Sequence, residues 1–132
     1  MCSSDLIAWK SKRQSVIALS SAEAEYVAAS SLVQEITYCR KVLAGLGFEH
    51  WQSTATPVYE DNATAISWSE GAVGGSDRAK HIDLREHYVH DAVAQGVLKL
   101  VKVPSADNLA DLFTKPLPKD RFLVLRKKLM GF

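Results

Sequence analysis

Three carboxylates, Glu25, Asp61 and Asp111, stand at positions from which they could share bound cations. Glu25 lies inside Ile17 to Leu46, a stretch that reads as one long amphipathic helix. Steps of 4, 7, 11 and 18 from Glu25 reach Ala29, Leu32, Ile36 and Leu43, which sets Glu25 on the core-facing stripe. The same steps from Glu23 reach Val27, Ser30, Gln34 and Lys41, a mostly solvated face. Carboxylates are seldom buried unless paired or bound to metal, so an inward glutamate in the first turns of a helix is a candidate for chemistry. At the helix rim it would only favour the N-terminal dipole. Asp61 falls where a strand gives way to a helix, the crevice in which open α/β sheets place ligands, although alone it reads equally well as a helix cap. Asp111 lies on a short helical segment after the last strand, where alone it would be a surface charge. Three acids gathered at one sheet edge repel unless divalent cations neutralise them. Such hard oxygen donors suit Mg²⁺ or Mn²⁺, and two ions roughly 3.5–4 Å apart clamp a phosphodiester for in-line attack by water.

The elements that must position these acids follow from patterning. Ser20 and Glu23 form a capping box at the head of the long helix, and Gly45 and Gly47 end it. Upstream, Leu6–Trp9 and Val16–Leu19 are short apolar runs separated by a basic break, read as a strand and a lead-in to the helix. Pro57–Glu60 reads as a short strand, and Asp61–Asn62 opens a helix from Ala63 to about Glu70. A loop over Val73–Ser76 leads to a third helix from Lys80 to Ala94, closed by Gly96. Val97–Val103 is a strand stopped by Pro104. A short helical segment spans Asp107–Phe113, and after Pro116-Leu117-Pro118 a last helix sets Phe122, Leu125 and Leu129 on one side. Alternating strands and helices predict an α/β layer fold.

The chain has 132 residues, enough for a single domain with a modest core. Its net charge of +1 neither argues for nor excludes a nucleic-acid partner. The charge is uneven, however. Lys10, Lys12 and Arg13 cluster early, and three cations within four residues suit contact with a phosphate backbone. Lys80 opens a helix after a basic loop, where phosphate contact is again plausible. The two cysteines, Cys2 and Cys39, lack metal-ligand spacing and suit a reducing compartment. No apolar run approaches membrane-spanning length, so no membrane partner is expected. His87 and His90, with Asp83, could hold zinc on one helix face, but no distant fourth ligand presents itself. Trp9, Tyr26, Trp51 and Trp68 could stack on bases, yet isolated aromatics in so apolar a chain read more readily as core or rim.

Nearly the whole chain resembles the ribonuclease H domain of copia-type LTR retrotransposon Pol polyproteins. The matching stretches are Ile7–Gln14, Ala18–Ala28, Tyr59-Glu60-Asp61-Asn62, Lys80-His81-Ile82-Asp83, Val103-Pro104, Leu109-Ala110-Asp111 and Thr114–Leu117. The resemblance implies a ribonuclease H-like fold, a mixed sheet flanked by helices. It implies two-metal hydrolysis, with Mg²⁺ or Mn²⁺, of the RNA strand of RNA–DNA hybrids during reverse transcription. The family uses four acids. Glu25, Asp61 and Asp111 match three of them as metal ligands and catalytic residues. Lys10, Lys12, Arg13 and Lys80 are the candidates for contact with the hybrid. The reverse transcriptase part of the same polyprotein is an expected partner, and the expected location is intracellular and cytoplasmic, in a virus-like particle.

The family's first aspartate lies on a first strand that precedes two further strands and the helix. Three strands need roughly 25–30 positions before the capping box, and the residues before Ser20 supply one convincing strand. Asp5, the sole upstream acid, matches a turn and is not promoted to the role. The expected picture is therefore a single domain, residues 1–132, lacking its first two strands and one metal ligand. Its hybrid cleavage in isolation should be weak or absent. The alternative is a non-catalytic remnant that binds nucleic acid or a partner protein. Open strand edges would also favour self-association.

Overall fold

The computed structural model describes residues 6, 8–15, 17–71 and 80–131, the side chains of 80–86 excepted. It is mixed α/β, and its internal contacts gather in two compact units. One is Ile17–Lys102; the other joins Met1–Val16 to Val103–Phe132.

The first unit is built on α1, Ser21–Gly45. Ser20 caps it, its hydroxyl accepting the Glu23 N–H at 3.1 Å, while the Glu23 carboxylate reaches back one residue further than expected, to the Leu19 N–H at 2.7 Å. These bonds satisfy amide donors that a helix start otherwise leaves open. At the other end the chain turns out of the helix at Gly47, whose φ of 87° is left-handed. There the Phe48 N–H donates to the Leu43 carbonyl and the Gly47 N–H to the Ala44 carbonyl, both at 2.9 Å, the paired closure that a left-handed glycine permits. Arg40 ties the helix to the segment ahead of the first strand, donating to the Thr54 carbonyl at 2.9 Å and the Gln52 carbonyl at 2.7 Å.

Strand β1, Thr56–Glu60, pairs in parallel with β2, Leu98–Lys102, in a register that sets Val58 beside Leu100 and Glu60 beside Lys102. Parallel strands require a crossover, and it is supplied by α2, Ala63–Ser69, and α3, Lys80–Ala94. The described sheet has these two strands alone. The expected mixed sheet needs antiparallel pairing, and none occurs among the described residues. The strand expected over Leu6–Trp9 is likewise not formed at its described positions, which are coil; an apolar run becomes a strand only where a neighbour completes its hydrogen bonds.

The core of this unit is Tyr26, Val33, Ala65, Val89, Ala92 and Leu98, with Ala29, Ile36, Val58, Trp68 and Leu100 packed on it. The buried stripe of α1 therefore centres on Tyr26 and Val33. Leu32, expected inward, is exposed, and Glu23, Val27 and Ser30, expected to be solvated, are buried. A rotation of one residue about the helix, roughly 100°, accounts for the difference, and it leaves Glu25 on the flank of the stripe.

The second unit holds a short coil over the described residues before Ile17, a 3₁₀ turn at Ser105–Asp107, α4 at Asp111–Thr114 and α5 at Lys119–Met130. Pro118 precedes the first turn of α5, and Leu125 is its fully buried residue, while Phe122 is exposed. Among the described residues no helix is long and apolar enough to cross a membrane.

Candidate functional site

Two elements bring acids together. The second turn of α1 carries Glu25, and the end of β1 carries Glu60, followed at once by Asp61. One carboxylate oxygen from each of Glu25, Glu60 and Asp61 lies within 4.8 Å of the others. Local sequence explains the bend that gathers them. Asn62 caps α2 by accepting the Thr64 N–H at 2.9 Å, while its own N–H donates to Glu60 Oε1 at 2.9 Å. The strand thus ends in a hydrogen-bonded turn that holds Glu60 and Asp61 side by side. Lys102, level with Glu60 in the sheet, donates its ammonium to the Asp61 main-chain carbonyl. This fixes the turn to β2 and sets one positive charge beside three negative ones.

Among the described residues, the carboxylates of this cluster outnumber the cations beside them. Burial pushes the Glu60 carboxyl above its ordinary 4.5; the Asn62 N–H opposes this, and the charges of Glu25 and Asp61 and a carboxyl–carboxyl hydrogen bond with Glu25 raise it further. Glu25 Oε2 is buried with no hydrogen-bond partner. A buried carboxylate oxygen without a donor is costly, and a divalent cation is the group that would satisfy it. Oxygens bound to one ion at about 2.1 Å lie at most about 4.2 Å apart, and donors all within 4.8 Å of one another are at most a small rotamer adjustment from that spacing. Three hard oxygen donors of this kind fit Mg²⁺ or Mn²⁺.

A stability prediction follows from Glu60. A carboxyl whose folded value is raised favours the folded state while protonated. That contribution is whole below 4.5 and is lost as pH climbs through the raised value. Without divalent ions, Glu60→Gln should therefore raise the thermal midpoint more in weakly alkaline buffer than below 4.5, as followed by circular dichroism. An equal gain in both buffers would contradict the assignment.

Of the acids expected from sequence, Glu25 and Asp61 meet, and Glu60 joins them. Asp111 belongs to the other unit, where it starts α4 and is buried. Its two oxygens are held by Lys115 Nζ at 2.7 Å and by Arg121 at 2.9 Å, and Arg121 also donates to the Ser105 carbonyl at 2.6 Å. Lys10, Lys12 and Arg13 are exposed. The side chains of Lys80, His81 and Asp83 lie outside the described residues, as does the loop over Val73–Ser76, and so does the phosphate contact expected at Lys80. His87 is exposed, and His90 lies 3.8 Å from Asp91. Glu60 escapes the sequence reading, though a signal exists: it shares strand parity with inward Val58.

The chain is similar in sequence to three longer polyproteins. The chain is 37% identical over 125 residues to the retrovirus-related Pol polyprotein from transposon TNT 1-94 of Nicotiana tabacum, which covers 95% of this chain and 9% of that protein. Its homologues are retrovirus-related Pol polyproteins of copia-type transposons. In Arabidopsis thaliana, the Pol polyprotein from transposon RE2 is 35% identical over 93% of the chain, and that from RE1 is 37% identical over 88%. The chain spans only 8% of the length of each of these two. No family model and no solved structure matches it.

Proposed function

We propose that the chain serves as the ribonuclease H region of a copia-type Pol polyprotein, holding divalent cations at Glu25, Glu60 and Asp61 and acting on the RNA strand of RNA–DNA hybrids. The observation that carries this reading is the meeting of Glu25 and Asp61, from separate elements, around a carboxylate oxygen that has no donor. Both acids lie in stretches that resemble the ribonuclease H family, and the homologues are polyproteins of retrovirus-related type.

A bound divalent cation supplies Lewis-acid polarisation of a phosphodiester oxygen and a more acidic water. The chain's own residues supply the rest. Glu25 and Asp61 provide donors from two elements, so the site exists only while α1 is packed on the sheet. Asn62 and Lys102 hold the turn that presents Asp61. Lys102 also offers the remaining N–H donors of its ammonium to an anion arriving at the acids. Lys10, Lys12 and Arg13 contact the hybrid backbone. Of the four acids that the family resemblance implies, the described cluster holds two, Glu25 and Asp61, with Glu60 beside them, so turnover by this chain is expected to be slow.

A hybrid-cleavage assay with Mn²⁺ tests the reading. Slow cleavage of the RNA strand is expected, and it should disappear in Glu25→Gln. Cleavage that persists undiminished in that variant would overturn it. One observation favours a second reading, a non-catalytic nucleic-acid binder: the Asp111 carboxylate is already neutralised by Lys115 and Arg121. On that reading the hybrid binds with equal affinity in EDTA and in Mn²⁺, and no strand is cut.

A further inference from the structure

Within the second unit, one aromatic side chain is exposed in a way that packing does not explain. Trp9 leaves 66% of its surface open, although its indole lies flat against Phe113, with ring centroids 5.5 Å apart and planes inclined by 10°. The contact is fixed from a second point, because the Ser11 hydroxyl donates to the Phe113 carbonyl at 2.9 Å. The indole is therefore a held plate, with Phe113 as its backing and its remaining surface in water.

The surroundings say what the ligand is. Lys10, Lys12 and Arg13 follow Trp9 directly, all exposed, and four residues reach at most about 14 Å. A planar apolar plate flanked by cations at that range matches a planar base joined to phosphates. An apolar peptide would satisfy the indole but offer no anion to the exposed Lys12 and Arg13. A base inside a duplex has no open face to offer, so the ligand must present an unpaired base.

We infer that Trp9, backed by Phe113 and flanked by Lys10, Lys12 and Arg13, is a stacking platform for an unpaired nucleotide of a single strand. The base extends the Phe113–Trp9 stack, and the neighbouring phosphates meet the cations. The inference shares a nucleic-acid ligand with the proposed function but needs no cation site, so its test is run in EDTA and stands or falls separately.

The probe is a short fluorescently labelled single-stranded DNA, compared by anisotropy with an abasic strand of equal length and charge. The unaltered chain should bind the base-bearing strand more tightly by about 5- to 150-fold, the worth of a stacked base. Trp9→Ala should erase that difference, and Trp9→Phe should keep most of it. Replacing Lys12 and Arg13 with alanine should weaken both strands alike and flatten the salt dependence by about 0.7 in log–log slope for each phosphate that is no longer neutralised. Equal affinity of the unaltered chain for the two strands would overturn the inference, whether or not Trp9→Ala folds. So would an unchanged preference in a folded Trp9→Ala variant.

Discussion

Asp61→Asn is expected to abolish the gain in thermal stability that Mn²⁺ confers on the chain. A ligand that binds only the folded state stabilises it by about 2.7 kcal/mol at a hundred times its dissociation constant, a shift on the order of ten degrees for a domain of this size. The acids around Asp61 make the loss large. Asparagine keeps the shape of the side chain but removes the charge that, with Glu25 and Glu60, would draw the cation. The substitution spares the fold, because Lys102 bonds the main-chain carbonyl of residue 61 and the Asn62 cap does not involve its carboxylate. Without cation, each protein's own midpoint is the baseline from which the effect of the ion is read. The measurement is the thermal midpoint with and without Mn²⁺ for both proteins. The same rise in each would mean that the ion binds elsewhere.

The second large effect falls on stability itself. Tyr26 is 2% exposed, packs among Val33, Ala65, Val89, Ala92 and Leu98, and meets Trp68 edge to face at 5.8 Å. Truncating a buried aromatic to alanine removes its transfer free energy and opens a cavity, together about 3–5 kcal/mol. Against a total of about 5–15 kcal/mol this is a severe loss. Tyr26→Ala should shift the urea midpoint far down, while Tyr26→Phe keeps the ring and most of the stability. The effect reaches the site, because Glu25 precedes Tyr26 on α1 and is positioned by the same packing. A loss below about 1 kcal/mol would show that the core is not centred where the structure puts it.

The fold is most legible in the sequence where local chemistry decides it. Ser20 and Glu23 mark the head of α1 and Gly47 its exit, because capping bonds and a left-handed turn depend on residues close in sequence. The span of α3 and the middle of β2 are readable for the same reason. What fails depends on neighbours. The Leu6–Trp9 run has strand composition, but pairing is not written in the run itself. The rotation of α1 is misplaced by periodicity because Leu32 looks like a natural core residue, whereas α2 and α3 pack on Tyr26 and Val33. At the site, Asp61 is legible from its place at a strand end and Glu25 from its helix. Glu60 is easily passed over despite its inward parity with Val58. Lys115 lies one helical turn from Asp111 and is readable as its partner; Arg121 reaches Asp111 across a proline-containing turn, which no periodicity reveals.

That Glu25, Glu60 and Asp61 act on one ion is tested most directly by nuclear magnetic resonance with a trace of Mn²⁺, whose unpaired electrons broaden nearby amide signals. The amides of Glu25, Glu60 and Asp61 should fade together and first, and Lys102, held at the Asp61 carbonyl, should follow. If only one of the three acids fades, or all three stay sharp while signals elsewhere vanish, the carboxylates do not share a cation.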